Sequence, residues 1–213
     1  MPDSIAISPP LTPKKEEILT ISARLFAQKG YAAVSMRELA SETKMTPAAL
    51  YHHYADKEAL YYAVLLHVFT DKASAITELT KGKESSETKL KNLIIWLIQL
   101  FSRDEIFALL LHRELLDGNK ARIKLLTREV IETPFLEVEK LIGKLVPNRN
   151  PKSLAVPAMS LILGHFQLMP ILRNLTKEHS IGSTVDQELA LADTVKALIL
   201  CAPIAATKIS GPA

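Results

Sequence analysis

Apolar positions along this chain return every third or fourth residue through most of its length, and no stretch alternates in the manner of a half-buried strand. Ile18, Ile21, Leu25 and Phe26 make the first stripe. Thr12 supplies a capping hydroxyl before it, and Pro13 a first-turn residue whose missing N–H costs nothing. Gly30 provides the stop. In Val34-Ser35-Met36-Arg37-Glu38-Leu39, Ser35 and Glu38 form a capping box and Val34 can staple against Leu39, which predicts a short second helix over Met36 to Thr43. Lys44 and Met45 make a brief turn, after which Thr46 caps a third helix that begins with Pro47 and ends near His53. Asp56 caps a longer fourth helix with Leu60, Val64 and Val68 on one side, reaching roughly Thr80.

Past the polar break KGKESS at residues 81–86, the chain becomes greasier. Residues 88–101 are apolar nearly all round, as in a helix buried among others. A further helix runs from Asp104 through Leu116, ended by Gly118. The stripe Ile123, Val130, Phe135, Val138, Leu141, Ile142, Leu145 predicts one long helix over 120–145, bent at Pro134. Loops follow at 146–151 and 174–185, and a last helix starts at Asp186 and continues to about Ala205. The expectation is an all-α chain of about nine helices: an arm at 1–13 without order, a small module at 14–60, and a larger helical domain at 61–213.

Residues 153–172, SLAVPAMSLILGHFQLMPIL, contain no Asp, Glu, Lys or Arg and match the roughly 20 residues of a membrane span. Pro157, Pro170, Ser160, His165 and Gln167 interrupt the apolar run, so a helix buried all round by protein is expected instead.

Composition narrows the picture only in places. The 213 residues are 48% apolar and 23% charged, with only 7 glycines, an ordinary balance that favours helix. A net charge of +3 does not announce a nucleic-acid binder, and residues 1–57 hold seven Lys and Arg against six Asp and Glu. Any basic surface must therefore be local. Cys201 alone excludes an intrachain disulfide framework and a multi-cysteine zinc site, and it suits a reducing cytoplasm. With no base nearby in sequence, it is expected to be a buried, inert thiol. The N-terminus lacks the basic start and apolar block of a signal peptide.

Two short helices joined by a tight turn and braced by a third make the pattern of a helix-turn-helix reader of DNA. Leu25, Phe26, Leu39, Ala40, Met45 and Leu50 are placed for a small core, leaving the other face of the 47–53 helix for a major groove. Arg37 offers a fork for guanine, and Tyr51, His53 and Lys57 offer donors for phosphate. His52 and His53, adjacent in sequence, diverge by about a hundred degrees on a helix and do not meet at one metal. No Gly-rich phosphate loop or G-x-S-x-G elbow occurs, so no enzyme and no cofactor is expected.

The stretches GYAAVSMRELA and KMTPAALYHHYADKEAL resemble the N-terminal domain of TetR-family transcriptional regulators across about residues 14–60. The resemblance implies base contacts from Arg37, Pro47 and Ala48 and phosphate contacts from Ser35, Tyr51, His53 and Lys57, with Thr46 and His52 beside them. The chain departs from the family pattern at Lys44, where glycine is usual, and at Ala48 and Ala49, where a glycine and a hydroxyl residue are common. The family further implies a homodimer through the last two helices, a roughly palindromic DNA operator, and a small-molecule effector in the larger domain whose binding releases a repressor. Trp96, Phe101, Phe107, His112, Arg113, His165, Gln167 and Met169 are the candidate effector residues, as aromatic or polar groups in otherwise apolar helices. Core packing for the aromatics, and pairing of His112 and Arg113 with Glu114 or water, are the plainer alternatives. A helical ligand-binding or adaptor protein with a degenerate DNA-binding module is the competing function.

Overall fold

The computed structural model describes residues 12–175 and 184–201, and among them every regular element is helical. The elements are α1 (Pro13–Lys29), α2 (Met36–Glu42), α3 (Pro47–His53), α4 (Lys57–Lys81), α5 (Ser86–Arg103), α6 (Glu105–Asp117), α7 (Lys120–Leu126), α8 (Glu132–Leu145), α9 (Lys152–Leu175) and α10 (Thr184–Cys201). A π-helical turn, Thr127–Ile131, joins α7 to α8 without a break, so the long helix expected over 120–145 is present. Its irregularity lies a turn ahead of Pro134. Proline has no N–H for the carbonyl four residues back, Val130, and its ring crowds that carbonyl, so the turn before it widens.

The predicted caps account for the first four helices. The side chains of Thr12, Ser35, Thr46 and Asp56 accept from the backbone N–H groups of Lys15, Glu38, Ala49 and Ala59 respectively. Each satisfies one of the donors that a helix start leaves open. Gly30 ends α1 at φ 82° and ψ 162°, a region that a side chain would strain. The last helix begins at Thr184 rather than Asp186, and its expected continuation to Ala205 lies partly outside the described residues. So do the arm, apart from Thr12 and Pro13, and most of the 174–185 loop.

Two compact units divide the chain. The first comprises residues up to Asp71 together with Ile106–Glu129; the second comprises Lys72–Glu105 and the part of the chain from Val130 onward. The compact units therefore do not part at residue 60, because α6 and α7 return to the first of them. Its core contains Ile18, Phe26, Val34, Leu39, Leu50, Leu60, Tyr61, Val64 and Leu110, all almost wholly buried. Phe26 meets Tyr61 edge-on at 4.7 Å between ring centres, and Phe69 meets Phe107 at 5.0 Å.

In the second unit α5 packs on α8, α9 and α10 through Leu90, Leu93, Ile94, Leu97, Ile98 and Phe101. Lys91 and Asn92 are exposed, so α5 is covered on one face rather than all round. The expectation of a fully buried 153–172 helix also needs correction: only 28% of the apolar window Lys152–Ile171 is buried. Leu154, Ala155, Ala158 and Ile162 face inward, while Val156, Leu168 and Ile171 are exposed. Cys201, expected to be buried, is exposed as well. Both corrections have one physical cause. Apolar character shows that a surface avoids water, but not whether a neighbour within the same chain covers it.

Candidate nucleic-acid interface

The turn between α2 and α3 decides how the two helices stand to each other. Lys44 N–H donates to the Ser41 carbonyl at 3.0 Å, and Met45 N–H to the Ala40 carbonyl at 2.8 Å. These two bonds make a Schellman closure of α2, in which the residue after the C-cap adopts the left-handed conformation. That residue is Lys44, at φ 54°. Glycine takes this geometry without strain, whereas a side chain does not. The closure is completed by Thr43, whose buried Oγ1 donates to the Leu39 carbonyl at 2.7 Å. Leu50 then anchors α3 from beneath with no exposed surface, and Met45 is half-buried beside the turn.

With Leu50 inward, the opposite face of α3 is open. Ser35, Arg37, Thr46, Pro47, Ala48, Tyr51 and His52 are all exposed, and His53 is half-buried. The expected DNA-facing residues of α2 and α3 thus share accessibility. The rings of His52 and His53 stand 6.1 Å apart and nearly perpendicular, and no group of three potential metal ligands occurs among the described residues. The Glu38 carboxyl lies below its ordinary range because Lys29 hydrogen-bonds it, with help from the Ser35 backbone N–H that completes the capping box.

Lys57 is placed differently from its neighbours in the motif. Its Nζ donates to the Tyr31 and Val34 carbonyls, each at 2.9 Å, and lies 4.3 Å from the centre of the Tyr31 ring. The ammonium is directed at the α1–α2 connection.

The first unit also contains a polar cluster that the sequence did not announce. Glu114 is almost fully buried; it accepts from the Tyr61 hydroxyl at 2.6 Å and from Arg122 Nε at 2.9 Å. Arg122 Nη2 donates to Asp117 at 2.9 Å, and its guanidinium lies 5.2 Å from the Tyr31 ring centre and 5.3 Å from that of Tyr61. Burial and the Glu114 carboxylate both drive the Tyr61 hydroxyl pKa well above its usual range. For Arg122 burial opposes the charge, but Glu114, Tyr61 and Asp117 together outweigh it and the guanidinium pKa is raised. No motif signals this cluster, because Glu114 and Arg122 are brought together only by the turn at Gly118, φ 59°.

The candidate effector residues fall in both units. In the first, Phe107 is core, and Arg113 donates to the Ala27 and Gln28 carbonyls at 2.8 and 2.7 Å, closing the end of α1 instead of pairing with Glu114. His112 is half-buried with an Nε2 that is secluded and unpartnered, and burial lowers its pKa. In the second, Phe101 is core and stacks on Phe166 at 5.9 Å, His165 meets Phe166 edge-on at 5.3 Å, Trp96 and Met169 are half-buried, and Gln167 is exposed.

Comparison with known proteins bears on this arrangement. The family model described as bacterial regulatory proteins, tetR family, matches residues 18–64. The chain is 30% identical over 126 residues to the uncharacterized HTH-type transcriptional regulator YerO of Bacillus subtilis, a match covering 58% of this chain and 44% of YerO. It is 32% identical over 75 residues to the HTH-type transcriptional repressor AcnR of Corynebacterium glutamicum, covering 35% of this chain and 40% of AcnR. The chain thus spans less than half the length of these curated relatives in its matches. Among solved structures, the fatty acid degradation regulator FadR from Bacillus halodurans superposes with a TM-score of 0.70 at 16% identity, over 90% of this chain and 97% of that one. AibR, solved with isovaleryl coenzyme A and operator DNA, superposes with a TM-score of 0.60 at 20% identity, over 88% and 98%. At such identities the superpositions speak for the fold, and the sequence matches speak for the helix-turn-helix. With the capped, exposed α2–α3 pair carrying the motif, residues 18–64 match the helix-turn-helix domain of tetR-family bacterial regulatory proteins, and the helical fold of the described residues is similar to that of solved regulators.

Proposed function

We propose that the chain acts as a homodimeric repressor that binds a palindromic operator through α2 and α3 and is released from it by a small-molecule effector. One observation carries the DNA-binding part: Leu50 and the Schellman turn hold α3 so that Pro47, Ala48, Tyr51 and His52 are exposed together with Arg37 of α2. Arg37 suits a guanine edge, Pro47 and Ala48 a thymine methyl, and Ser35, Thr46, Tyr51 and His53 phosphate oxygens.

Support for the dimer comes from the second unit. Along α9, Ser153, Val156, Ser160, Leu168 and Ile171 are exposed, and a methyl added at Gly164 would meet nothing within 4 Å. On α10, Ala190, Thr194, Ala197 and Cys201 are exposed at helical spacing. The exposed face of α10 also carries Asp186 and Asp193, whereas that of α9 is uncharged from 153 to 171; an uncharged stripe of that kind is normally covered, and a twofold partner presenting the same helices would cover it. A twofold dimer reads a palindrome.

For the effector, His112 is the best-supported contact: its secluded Nε2 has no partner, and burial disfavours the charged imidazole. Trp96, His165, Gln167 and Met169 stay as further candidates in the second unit. An effector that favours the non-operator form weakens DNA binding by the same factor that DNA weakens effector binding. Because AibR was solved with an acyl-coenzyme A, thioesters of short acids are the first class to screen.

The decisive experiment is selection of duplexes from a random library by the full chain, followed by a salt titration on the winner. A recovered palindrome bound far more tightly than random sequence supports the regulator. Recovery of no preferred sequence refutes it and favours the adaptor reading, for which the near balance of charges over residues 1–57 is the argument.

A further inference from the structure

Lys57 occupies the position where the family resemblance puts a phosphate contact, but its geometry suits another task. Two of its three N–H donors are directed at the Tyr31 and Val34 carbonyls, and the charge rests against the Tyr31 ring. Charge-assisted bonds of this kind are stronger than bonds between neutral groups. Both carbonyls lie in the short connection between Gly30, which ends α1, and Ser35, which caps α2. The same connection is gripped by other groups: the Tyr31 ring packs against Phe26, Tyr61 and the Arg122 guanidinium, and Val34 is almost fully buried beneath α2. Arg37 is only three residues beyond Val34, on the first turn of α2.

We infer that Lys57 is a positioning residue for base reading: by tying down the Tyr31 and Val34 carbonyls it sets the start of α2, and hence the direction in which Arg37 leaves the helix, without itself neutralising a phosphate. This rests on the reading of the chain as a DNA-binding regulator. A bidentate guanine contact requires the guanidinium to be aimed as well as present, so a loosened α2 start lowers preference for the right sequence. Binding that depends only on phosphates tolerates the same looseness.

The test uses the full chain, the duplex that the wild type selects from a random library, and a scrambled duplex of equal composition. Binding of both is followed by fluorescence anisotropy between 50 and 200 mM salt, a window of roughly the width over which phosphate contacts show themselves. Lys57→Met is expected to cut the preference for the selected duplex about tenfold, close to the value of one good base contact, while the salt slope stays at the wild-type value. Adding Lys57→Met to Arg37→Ala should bring no further loss of preference, since the two act through one contact. If Lys57→Met is poorly folded, Lys57→Gln, which keeps one carbonyl bond but no charge, gives the same readouts. A salt slope reduced by about 0.9 for each Lys57, with equal loss on both duplexes, means a phosphate contact and overturns the inference. A lower melting temperature with unchanged preference and slope means a purely structural brace and overturns it too. Failure of the wild type to select any duplex is a separate result: it sinks the regulator reading, and this role with it.

Discussion

Lys44 shows how a single side chain can be legible in sequence and still hide its consequence. Its departure from the usual glycine is visible in the motif, and the structure explains why glycine is usual there: the residue sits at the left-handed position of a Schellman closure, at φ 54°. A side chain in that conformation costs about 1–2 kcal/mol, partly offset by the roughly 0.4–1 kcal/mol that glycine's extra freedom adds to the unfolded chain. Lys44→Gly should therefore stabilise the protein by about 0.5–1 kcal/mol, read as a higher urea midpoint with an unchanged slope. A lowered midpoint would show that the Lys44 side chain contributes more than its backbone costs. The capping residues Thr12, Ser35, Thr46 and Asp56 were fully legible, because a cap depends on neighbours three residues away. The inward turn of Lys57 was not, since its partners are 23 and 26 residues distant.

Among the elements, helices with a start signal, a stripe and a stop were placed closely by the sequence, and what went unseen is how they are tied together. Glu114 of α6, Arg122 of α7 and Tyr61 of α4 form one buried hydrogen-bonded group within the first unit. Removing one member of a buried ion pair leaves the other without compensation, at a cost of about 3–5 kcal/mol, whereas replacing the pair by apolar groups is far milder. Glu114→Ala should accordingly lower stability by about 3–5 kcal/mol in urea denaturation, and Glu114→Leu combined with Arg122→Met should lower it much less. An equal loss in the two variants would mean that packing, rather than the stranded Arg122 charge, dominates. Bending of the 120–145 helix was expected from Pro134, but its form was not: a proline announces a lost hydrogen bond, and the surrounding chain chose a π turn one turn earlier to absorb it.

At the scale of the whole molecule, the open question is what meets the exposed stripe of α9. Leu168 and Ile171 are each more than half exposed, on a helix with no charged residue between Lys152 and Arg173. If a second copy covers this stripe, Leu168→Glu places a charge in the interface and should convert a dimer into a monomer in analytical ultracentrifugation, with the helical circular dichroism retained. DNA affinity should fall at the same time, because each half-site then binds alone and the linked second contact is lost. A wild-type chain that sediments as a monomer, or a mutant that remains dimeric, removes α9 from the interface. The apolar run of 153–172 was plain in the sequence, but its partner was not, since hydropathy reports avoidance of water without naming what takes water's place.

The sequence by itself determined the helices, their caps and the helix-turn-helix, since each depends on residues within a turn or two of one another. It also determined which residues of α2 and α3 are candidates for DNA, because the anchors Leu39 and Leu50 assign the opposite face. Only the tertiary structure decided that Lys57 points at the α1–α2 connection, that Arg113 closes α1, that Glu114 and Arg122 are buried together, and that Cys201 and half of α9 remain uncovered. The reason is common to all of these. Local pattern specifies which surface of a helix is apolar or charged, but the partner of a side chain is set by residues far away in sequence, and those are brought together only by the packing of the fold.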